Sequence, residues 1–303
     1  MMKNLSIKIG NVTFKNPVTV ASGTFGYVEK YYKISDVKKL GAIVPKTVTL
    51  NSREGNPSPR IVETAYGMIN AIGIENLGVD YFIKERIPQL SKLGVPIIVS
   101  ISAGSNKEFV ILAKKLNQVK TIKAIELNLS CPNLKSKKLI AQDKKATFEV
   151  VRAVKKAVQK PIIAKLSPNV TDITEIAIAA EKGGVDAVSL INTLMATAID
   201  IKTRKFILGN KTGGLSGPAI KPIALKMVYD VAQKVKIPII AMGGIMTADD
   251  ALEFIVAGAS MVAVGTASFV DPNAPLDILK GIDVYMRKNK IKSIKQLIGS
   301  INE

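Results

Sequence analysis

Short, strongly apolar runs alternate along this chain with amphipathic stretches in which apolar residues recur every three or four positions. Short runs rich in β-branched residues are typical of buried strands. Apolar residues that recur every three or four positions are typical of helices with one buried face. The pattern predicts eight strands, at residues 18–21, 42–46, 96–100, 124–128, 162–165, 187–191, 237–241 and 261–264. It predicts helices at residues 35–40, 79–93, 106–118, 145–159, 172–182, 218–235, 248–257 and 275–289.

The succession of strand and helix, repeated eight times, predicts a parallel sheet, because parallel neighbours need crossover connections. Eight such units in 303 residues favour an α/β fold of the (β/α)8 TIM-barrel type. An open, doubly wound sheet is the alternative. Alternating residues on both sides of Gly10-Asn11 predict an N-terminal β-hairpin. Since no linker interrupts residues 1–303, we expect one domain, with inserted loops at 51–76 and 200–218 on the C-terminal face of the barrel.

Polar or glycine residues follow most of the predicted strands. In a (β/α)8 barrel these strand ends meet at one face, which is where active sites lie. The residues are Ala21-Ser22-Gly23, Lys46-Thr47, Ser100, Asn128 with Cys131, Lys165, Asn192-Thr193, Gly243-Gly244 and Gly265-Thr266. The glycines after the last two strands predict a phosphate site, because backbone N–H groups can approach an anion closely where no side chain intervenes.

Two reactive side chains stand out among these positions. Cys131 is the only cysteine and the chain has no histidine, so its thiol is the natural candidate for acid–base chemistry near neutral pH. A buried structural cysteine is the alternative interpretation. Lys165 lies within an apolar strand and needs a partner, because desolvating an ammonium group is costly. It could form a Schiff base, as in aldolases, or stay charged and stabilise electron density on a bound cofactor.

Composition narrows the class of protein. A hydrophobic content of 47% with 22% charged residues is typical of a globular chain. One cysteine fits a reducing, cytoplasmic setting, and it excludes both an internal disulfide framework and a four-thiolate iron–sulfur cluster. No metal site is expected without histidine. The net charge of +19 would attract small anions, but the lysines are scattered and tryptophan is absent, which disfavours nucleic-acid binding. We expect no membrane span and no signal peptide.

Several motifs resemble the class 1 dihydroorotate dehydrogenases, and specifically the class 1B, NAD-dependent type. The resemblance covers nearly the whole chain. Its most specific segments are residues 21–26, 70–74, 128–133, 191–193, 198–204, 212–218 and 242–244. It implies a barrel that binds one FMN per chain and oxidises (S)-dihydroorotate to orotate in pyrimidine biosynthesis.

The resemblance also implies roles for single residues. Cys131 would remove the C5 proton, and the C6 hydride would pass to FMN. The positions that match the family's substrate contacts are Lys46, Asn70, Ala71, Ile72, Gly73, Ile74, Asn128, Asn133, Asn192 and Thr193. The positions that match its FMN contacts are Ser22, Lys46, Thr47, Asn128, Lys165, Ile191, Gly217, Gly243, Gly244, Gly265 and Thr266. A charged Lys165 beside the flavin would favour the electrostatic role over the Schiff base.

Class 1B further implies a partner subunit that carries FAD and a [2Fe–2S] cluster and passes electrons to NAD+, in a heterotetramer of two catalytic and two electron-transfer chains. The chain has no Rossmann fingerprint of its own, which agrees with this division. It departs from the family pattern at Met195-Ala196-Thr197, where a glycine–methionine pair is expected, and at Glu75, where glutamine is usual. The alternatives are a dihydropyrimidine-type reductase, a Schiff-base aldolase using Lys165, and a basic RNA-binding protein. Lys46 would place a cation beside the substrate pocket, which favours a carboxylated pyrimidine, dihydroorotate, over the substrate of a dihydropyrimidine-type reductase.

Overall fold

The computed structural model describes residues 4–27, 35–130 and 139–302. Its strands are β1 (Ile7–Ile9), β2 (Val12–Phe14), β3 (Val18–Val20), β4 (Ile61–Thr64), β5 (Gly67–Asn70), β6 (Ile97–Ile101), β7 (Ile122–Asn128), β8 (Ile162–Lys165), β9 (Ala187–Leu190), β10 (Leu194–Thr197), β11 (Ile199–Asp200), β12 (Lys205–Phe206), β13 (Thr212–Ser216), β14 (Ile239–Ala241) and β15 (Met261–Val264). Its α-helices are α1 (Val79–Tyr81), α2 (Ile87–Ser91), α3 (Asn106–Asn117), α4 (Lys144–Ala157), α5 (Ile173–Gly183), α6 (Lys221–Ala232), α7 (Ala248–Val256), α8 (Ala267–Val270) and α9 (Ala274–Lys288).

Seven parallel strands form one curled sheet in the order β3-β15-β14-β9-β8-β7-β6, so that the first strand pairs with the last. Residues 41–48 fill the remaining position between β3 and β6. On one side the N–H of Gly41 donates to the carbonyl of Val18, and on the other Val48 forms a parallel bridge to Ile101. The strand order therefore follows the chain without reversal, which confirms the (β/α)8 barrel and excludes the doubly wound sheet.

Burial on both faces explains why the strand sequences are continuous apolar runs. The strands β6, β8, β9, β14 and β15 are buried at every residue, because the barrel interior covers one face and the helices cover the other. The helices bury one stripe each, as α4 does with Thr147, Val150, Val151 and Val154. No described helix has the length and hydrophobicity that crossing a membrane requires.

The helix starts follow from local capping. The side chains of Ser105, Asp143, Asp172 and Thr247 accept hydrogen bonds from backbone N–H groups in the first turns of α3, α4, α5 and α7. Each satisfies a donor that the helix itself leaves unpaired. These caps place the starts within about one residue of the prediction for all four helices.

The predicted hairpin is present, and it lies at the end of the barrel opposite to the carboxyl ends of the parallel strands. Strand β1 pairs with β2 in antiparallel register, with Ile9 opposite Val12. Gly10 adopts a φ of 55° in the turn, and its Cα lies against Asp186 and Pro161, which precede β9 and β8. The hairpin thus covers the N-terminal face and leaves the C-terminal face open.

The two predicted loops contain antiparallel structure that the sequence pattern did not indicate. Strands β4 and β5 come from the stretch predicted as a loop at 51–76, and β12 and β13 come from 200–218. A four-stranded sheet forms in the order β10-β13-β5-β4, with Asn70 opposite Gly214. Strands β11 and β12 form a separate two-stranded ribbon. The four-stranded sheet stands over the barrel mouth and supplies one wall of the site described next.

Candidate active site

A cavity of about 480 Å³ opens at the carboxyl ends of the barrel strands. Strand ends form its floor, and residues of β5 and β13 form part of its wall. The lining residues that the sequence analysis names are Ala21, Ser22, Gly23, Lys46, Thr47, Asn70, Ile72, Gly73, Ile74, Asn128, Lys165, Ile191, Asn192, Thr193, Gly217, Gly243, Gly244, Gly265 and Thr266. One cavity therefore brings together residues from both ends of the chain.

Lys165 is the most buried cation of this cavity. It ends β8 and is 5% exposed. Its Nζ donates to Ser22 Oγ over 3.4 Å, a long hydrogen bond, and no carboxylate in the described residues lies within 4.0 Å of it. A buried ammonium group without a counter-ion is costly unless a ligand compensates its charge. The cavity is thus suited to an anionic or electron-rich ligand.

A cluster of amides and hydroxyls lies at the end of β7. Asn192 Nδ2 donates to Ser130 Oγ at 2.7 Å and to Asn128 Oδ1 at 3.4 Å, and Asn192 Oδ1 accepts from the N–H of Thr193 at 2.8 Å. Within the described ranges the amide nitrogen of Asn128 has no acceptor. Side-chain amides offer both donors and acceptors, which is what a ring with alternating N–H and C=O groups requires.

The glycines after β14 and β15 serve two different purposes. At Gly244, where φ is 77°, a Cβ would lie 2.6 Å from Lys221 Cβ, so close packing against the start of α6 requires glycine. At Gly265 a Cβ would meet nothing closer than Ala21 Cβ at 3.6 Å. Packing within the chain does not explain that glycine. It keeps open a part of the cavity wall where an anion can approach the backbone.

Asp250 fixes the loop that contains Gly244. Its carboxylate accepts from Lys221 Nζ at 2.5 Å and from the N–H groups of Met246 and Thr247, each at 2.9 Å. Burial acts to raise the pKa of Asp250, but these hydrogen bonds outweigh it and hold the pKa below its ordinary value. The ionised carboxylate therefore ties α6 to the start of α7 on either side of the glycine loop.

Replacing Asp250 with asparagine is expected to lower the free energy of unfolding by about 1–2 kcal/mol, because a helix cap and a charge-assisted hydrogen bond are weakened. Since the folded pKa is lowered, the ionised group stabilises the fold above its unfolded pKa of about 4, and this stabilisation is lost as the pH falls through the folded pKa. Urea unfolding at neutral pH and in acid measures both effects. The difference between the two proteins should shrink in acid; a constant difference would contradict the assignment.

Comparison with known proteins decides the family. The family model described as "Dihydroorotate dehydrogenase" matches residues 4–286. The chain belongs to the dihydroorotate dehydrogenase family. Curated relatives named "Dihydroorotate dehydrogenase B (NAD(+)), catalytic subunit" include one from Lachnoclostridium phytofermentans, 51% identical over 98% of this chain and 99% of the relative. Another, from Bacteroides thetaiotaomicron, is 48% identical over 99% of both chains.

A solved structure agrees on the fold. The crystal structure of DHODH in complex with ferulenol from Eimeria tenella superposes with a TM-score of 0.80 over 98% of this chain and 88% of that chain. The sequence identity is 24%, so this likeness shows the fold alone. The shared barrel fold extends over nearly the full length of the chain.

One described family-matched position does not line the cavity, and two others are not described. Cys131 and Asn133 lie outside the described residues. Ala71 is 6% exposed and packs with Ile69 and Leu208 in a small second core. Neighbouring side chains in extended chain point to opposite sides, so Ala71 faces that core while the residues before and after it, Asn70 and Ile72, line the cavity.

Other lining residues were not predicted from the sequence. Met68 and Ser216 are directly opposite each other in β5 and β13, and both line the cavity. Ser216 Oγ also accepts from Thr266 Oγ1 at 2.8 Å. The sheet that carries them was not predicted, although Met68 lies in the inserted loop at 51–76 and Ser216 in the family-matched segment at 212–218. Ser130 likewise lies inside a family-matched motif, at 128–133, so both serines were within reach of the sequence argument.

Proposed function

We propose that this chain oxidises (S)-dihydroorotate to orotate with FMN held in the barrel cavity, as part of pyrimidine biosynthesis. The observation that carries the proposal is the nearly buried Lys165 at the cavity floor of a chain of the dihydroorotate dehydrogenase family, with no carboxylate partner among the described residues. When bound, FMN supplies a ring that accepts a hydride. A cation that stays charged beside that ring stabilises the negative charge it gains. The same family membership argues against the aldolase and RNA-binding alternatives.

The cavity residues fit FMN. The volume of about 480 Å³ lies in the range of small-molecule sites, about 300–1,000 Å³. Glycines at the ends of β14 and β15 would hold the phosphate, and the open space at Gly265 suits its approach. Thr266 adds a hydroxyl beside the same backbone. Ser22 and Lys165 would hold the ring from the ends of β3 and β8.

The remaining polar groups fit the substrate. Asn70, Asn128 and Asn192 line the cavity together with Thr193, and their amides can pair with the ring of a dihydropyrimidine. Lys46 also lines the cavity and offers a cation to the substrate carboxylate. We propose Cys131 as the base that takes the C5 proton. Ser130, which precedes it in the chain, lines the cavity.

Replacing Gly265 with valine is expected to reduce FMN binding strongly, because the added side chain fills space that the chain itself leaves open. Gly265→Ala should have a smaller effect in the same direction, since it adds only the Cβ. The flavin content of the purified proteins and the FMN dissociation constant measure this, with circular dichroism to show that each variant is folded. Full flavin content in a folded Gly265→Val protein would contradict the placement of the phosphate.

We further propose that a second subunit carrying FAD and [2Fe–2S] passes the electrons to NAD+, in an assembly of two catalytic and two electron-transfer chains. The relatives are named catalytic subunits, which supports a partner. Phe269 and Val270 of α8 are 49% and 76% exposed beside the cavity, and Tyr66 in the neighbouring β4–β5 turn is 74% exposed. The carbonyl of Tyr66 accepts from the N–H of Ala219. Exposed apolar residues beside a redox site suit the docking of a subunit.

A direct assay separates the proposal from the related reductase. The purified chain is incubated with dihydroorotate or with dihydrouracil and an artificial dye as electron acceptor, and the products are identified by chromatography. We expect orotate from the first incubation and little uracil from the second, because only dihydroorotate offers a carboxylate to Lys46. Preferential oxidation of dihydrouracil would favour a dihydropyrimidine-type enzyme instead.

A further inference from the structure

Three charged side chains form a row that starts at the cavity. Lys46 lines the cavity, and its Nζ lies 4.0 Å from Glu75 Oε2. The same oxygen of Glu75 pairs with Arg60 Nη1 at 2.6 Å. Glu75 is not among the cavity-lining residues, so it acts on a ligand through Lys46 rather than by touching it.

The carboxylate of Glu75 is held in this place by the surrounding loops. Arg60 donates to Glu75 and also to the carbonyls of Glu54 and Asn56. Asn56 in turn donates from its side chain to Ala71 O at 3.0 Å, and its N–H donates to Ile72 O at 3.1 Å. The segment that carries Glu75 is thereby tied to the segment that carries Arg60. A fixed carboxylate exerts a steadier field on its neighbour than a freely rotating one.

We propose that Glu75 weakens the attraction of Lys46 for the substrate carboxylate and so sets the affinity of the site for anionic pyrimidines. The inference rests on the proposed function, because dihydroorotate and orotate bring that carboxylate. A second anion placed next to Lys46 competes with Glu75 for the same cation and is repelled by it. Arg60 pairs with the same carboxylate oxygen and compensates part of its charge, but Arg60 is not among the cavity-lining residues and so offers no cation to the ligand. Glu75 is therefore a positioning and charge-setting residue that favours release of the product.

Replacing Glu75 with glutamine tests this with little change of shape, because the amide oxygen can still accept from Arg60. We expect orotate to bind about three- to tenfold more tightly to FMN-loaded E75Q than to the wild type, as removal of one charge several ångströms away predicts at a high effective dielectric constant. E54Q is the matched control. It removes the same charge from the same loop, and Glu54 contributes only its backbone carbonyl to the row.

Isothermal titration calorimetry with orotate and with its neutral amide, orotamide, gives the decisive comparison. E75Q should bind orotate more tightly than the wild type does and bind orotamide with unchanged affinity. The difference in orotate affinity between the two proteins should shrink as salt is added. Unchanged or weaker orotate binding to E75Q, an equal effect in E54Q, or an equal effect on orotamide would overturn the inference. If wild-type protein binds orotamide but not orotate, the proposed function itself fails and the inference falls with it, which is a different result from equal orotate binding by both proteins.

Discussion

Replacing Cys131 with alanine is expected to lower the rate of dihydroorotate oxidation by about 10²–10⁴-fold, the usual contribution of a positioned general base. The chain has no histidine and no second cysteine that could take the proton instead. FMN binding should be unaffected, because the residues proposed to hold its phosphate and ring lie at or just after the ends of β3, β8, β14 and β15. Anaerobic mixing of the flavin-loaded variant with dihydroorotate measures the loss directly.

The pH profile gives a second measurement of the same role. An ordinary thiol has a pKa of about 8.5, so the wild-type rate of flavin reduction should rise from about pH 6 to pH 9 as the thiolate forms. Cys131→Ser should lose this rise, because a hydroxyl does not ionise in that range. A flat wild-type profile with the chemical step rate-limiting, or a normal rate in Cys131→Ala, would contradict the assignment of Cys131 as base.

Replacing Lys165 with methionine should slow flavin reduction by about 10²–10³-fold, comparable to removing one preorganised donor from a site of developing charge. Methionine keeps most of the length of the side chain and removes its charge. We therefore expect a lower flavin midpoint potential as well, because the reduced cofactor loses the cation that stabilises it. Lys165 is 95% buried, so solvent cannot replace this interaction.

Lys144→Met is the matched control for this experiment. Lys144 is an exposed residue of α4 that pairs with Glu175 at 3.4 Å, away from the cavity. The control should keep the wild-type midpoint potential and rate. If Lys165→Met also keeps the wild-type potential while the flavin stays bound, then Lys165 does not stabilise the reduced cofactor, and the main argument for the FMN site is lost.

The barrel was predictable because its signals are local. A strand buried on both faces produces an apolar run, and a helix with one buried stripe produces a periodic pattern, whatever lies elsewhere in the chain. The helix predicted at residues 106–118 is α3 (Asn106–Asn117), whose start is fixed by the side chain of Ser105. Residues 41–48 show the limit of the argument, since they fill a strand position with only isolated bridges to β6.

The strands in the wall of the cavity were not predictable, because their contacts join distant parts of the chain and their key residues are glycines. Asn70 Nδ2 donates to Gly214 O across 144 positions of the chain. A Cβ at Gly214 would lie 1.9 Å from Thr193 Oγ1, and one at Gly213 would lie 2.5 Å from Asn70 O. Both glycines are needed for close approach within a sheet, yet glycine in a sequence indicates a turn. The pattern therefore predicted a loop where the structure has a strand.

The site residues that the sequence predicted are those whose position follows from local patterns. Residues at strand ends, such as Lys165 and Thr266, were found because the fold places all strand ends at one face. The residues alone left the role of Lys165 open between a Schiff base and a charged partner of a cofactor, and the family resemblance favoured the charged partner. The absence of a carboxylate near Nζ among the described residues, together with membership of the dehydrogenase family, favours the second role.

Anaerobic reduction of the purified chain tests the central claim most directly. The account predicts a yellow protein whose visible flavin absorbance disappears on addition of dihydroorotate, with orotate as the product. NADH should leave the absorbance unchanged, because reaction with the nicotinamide is assigned to the partner subunit. A purified, folded chain that binds no flavin, or one whose bound flavin is not reduced by dihydroorotate, would contradict the account.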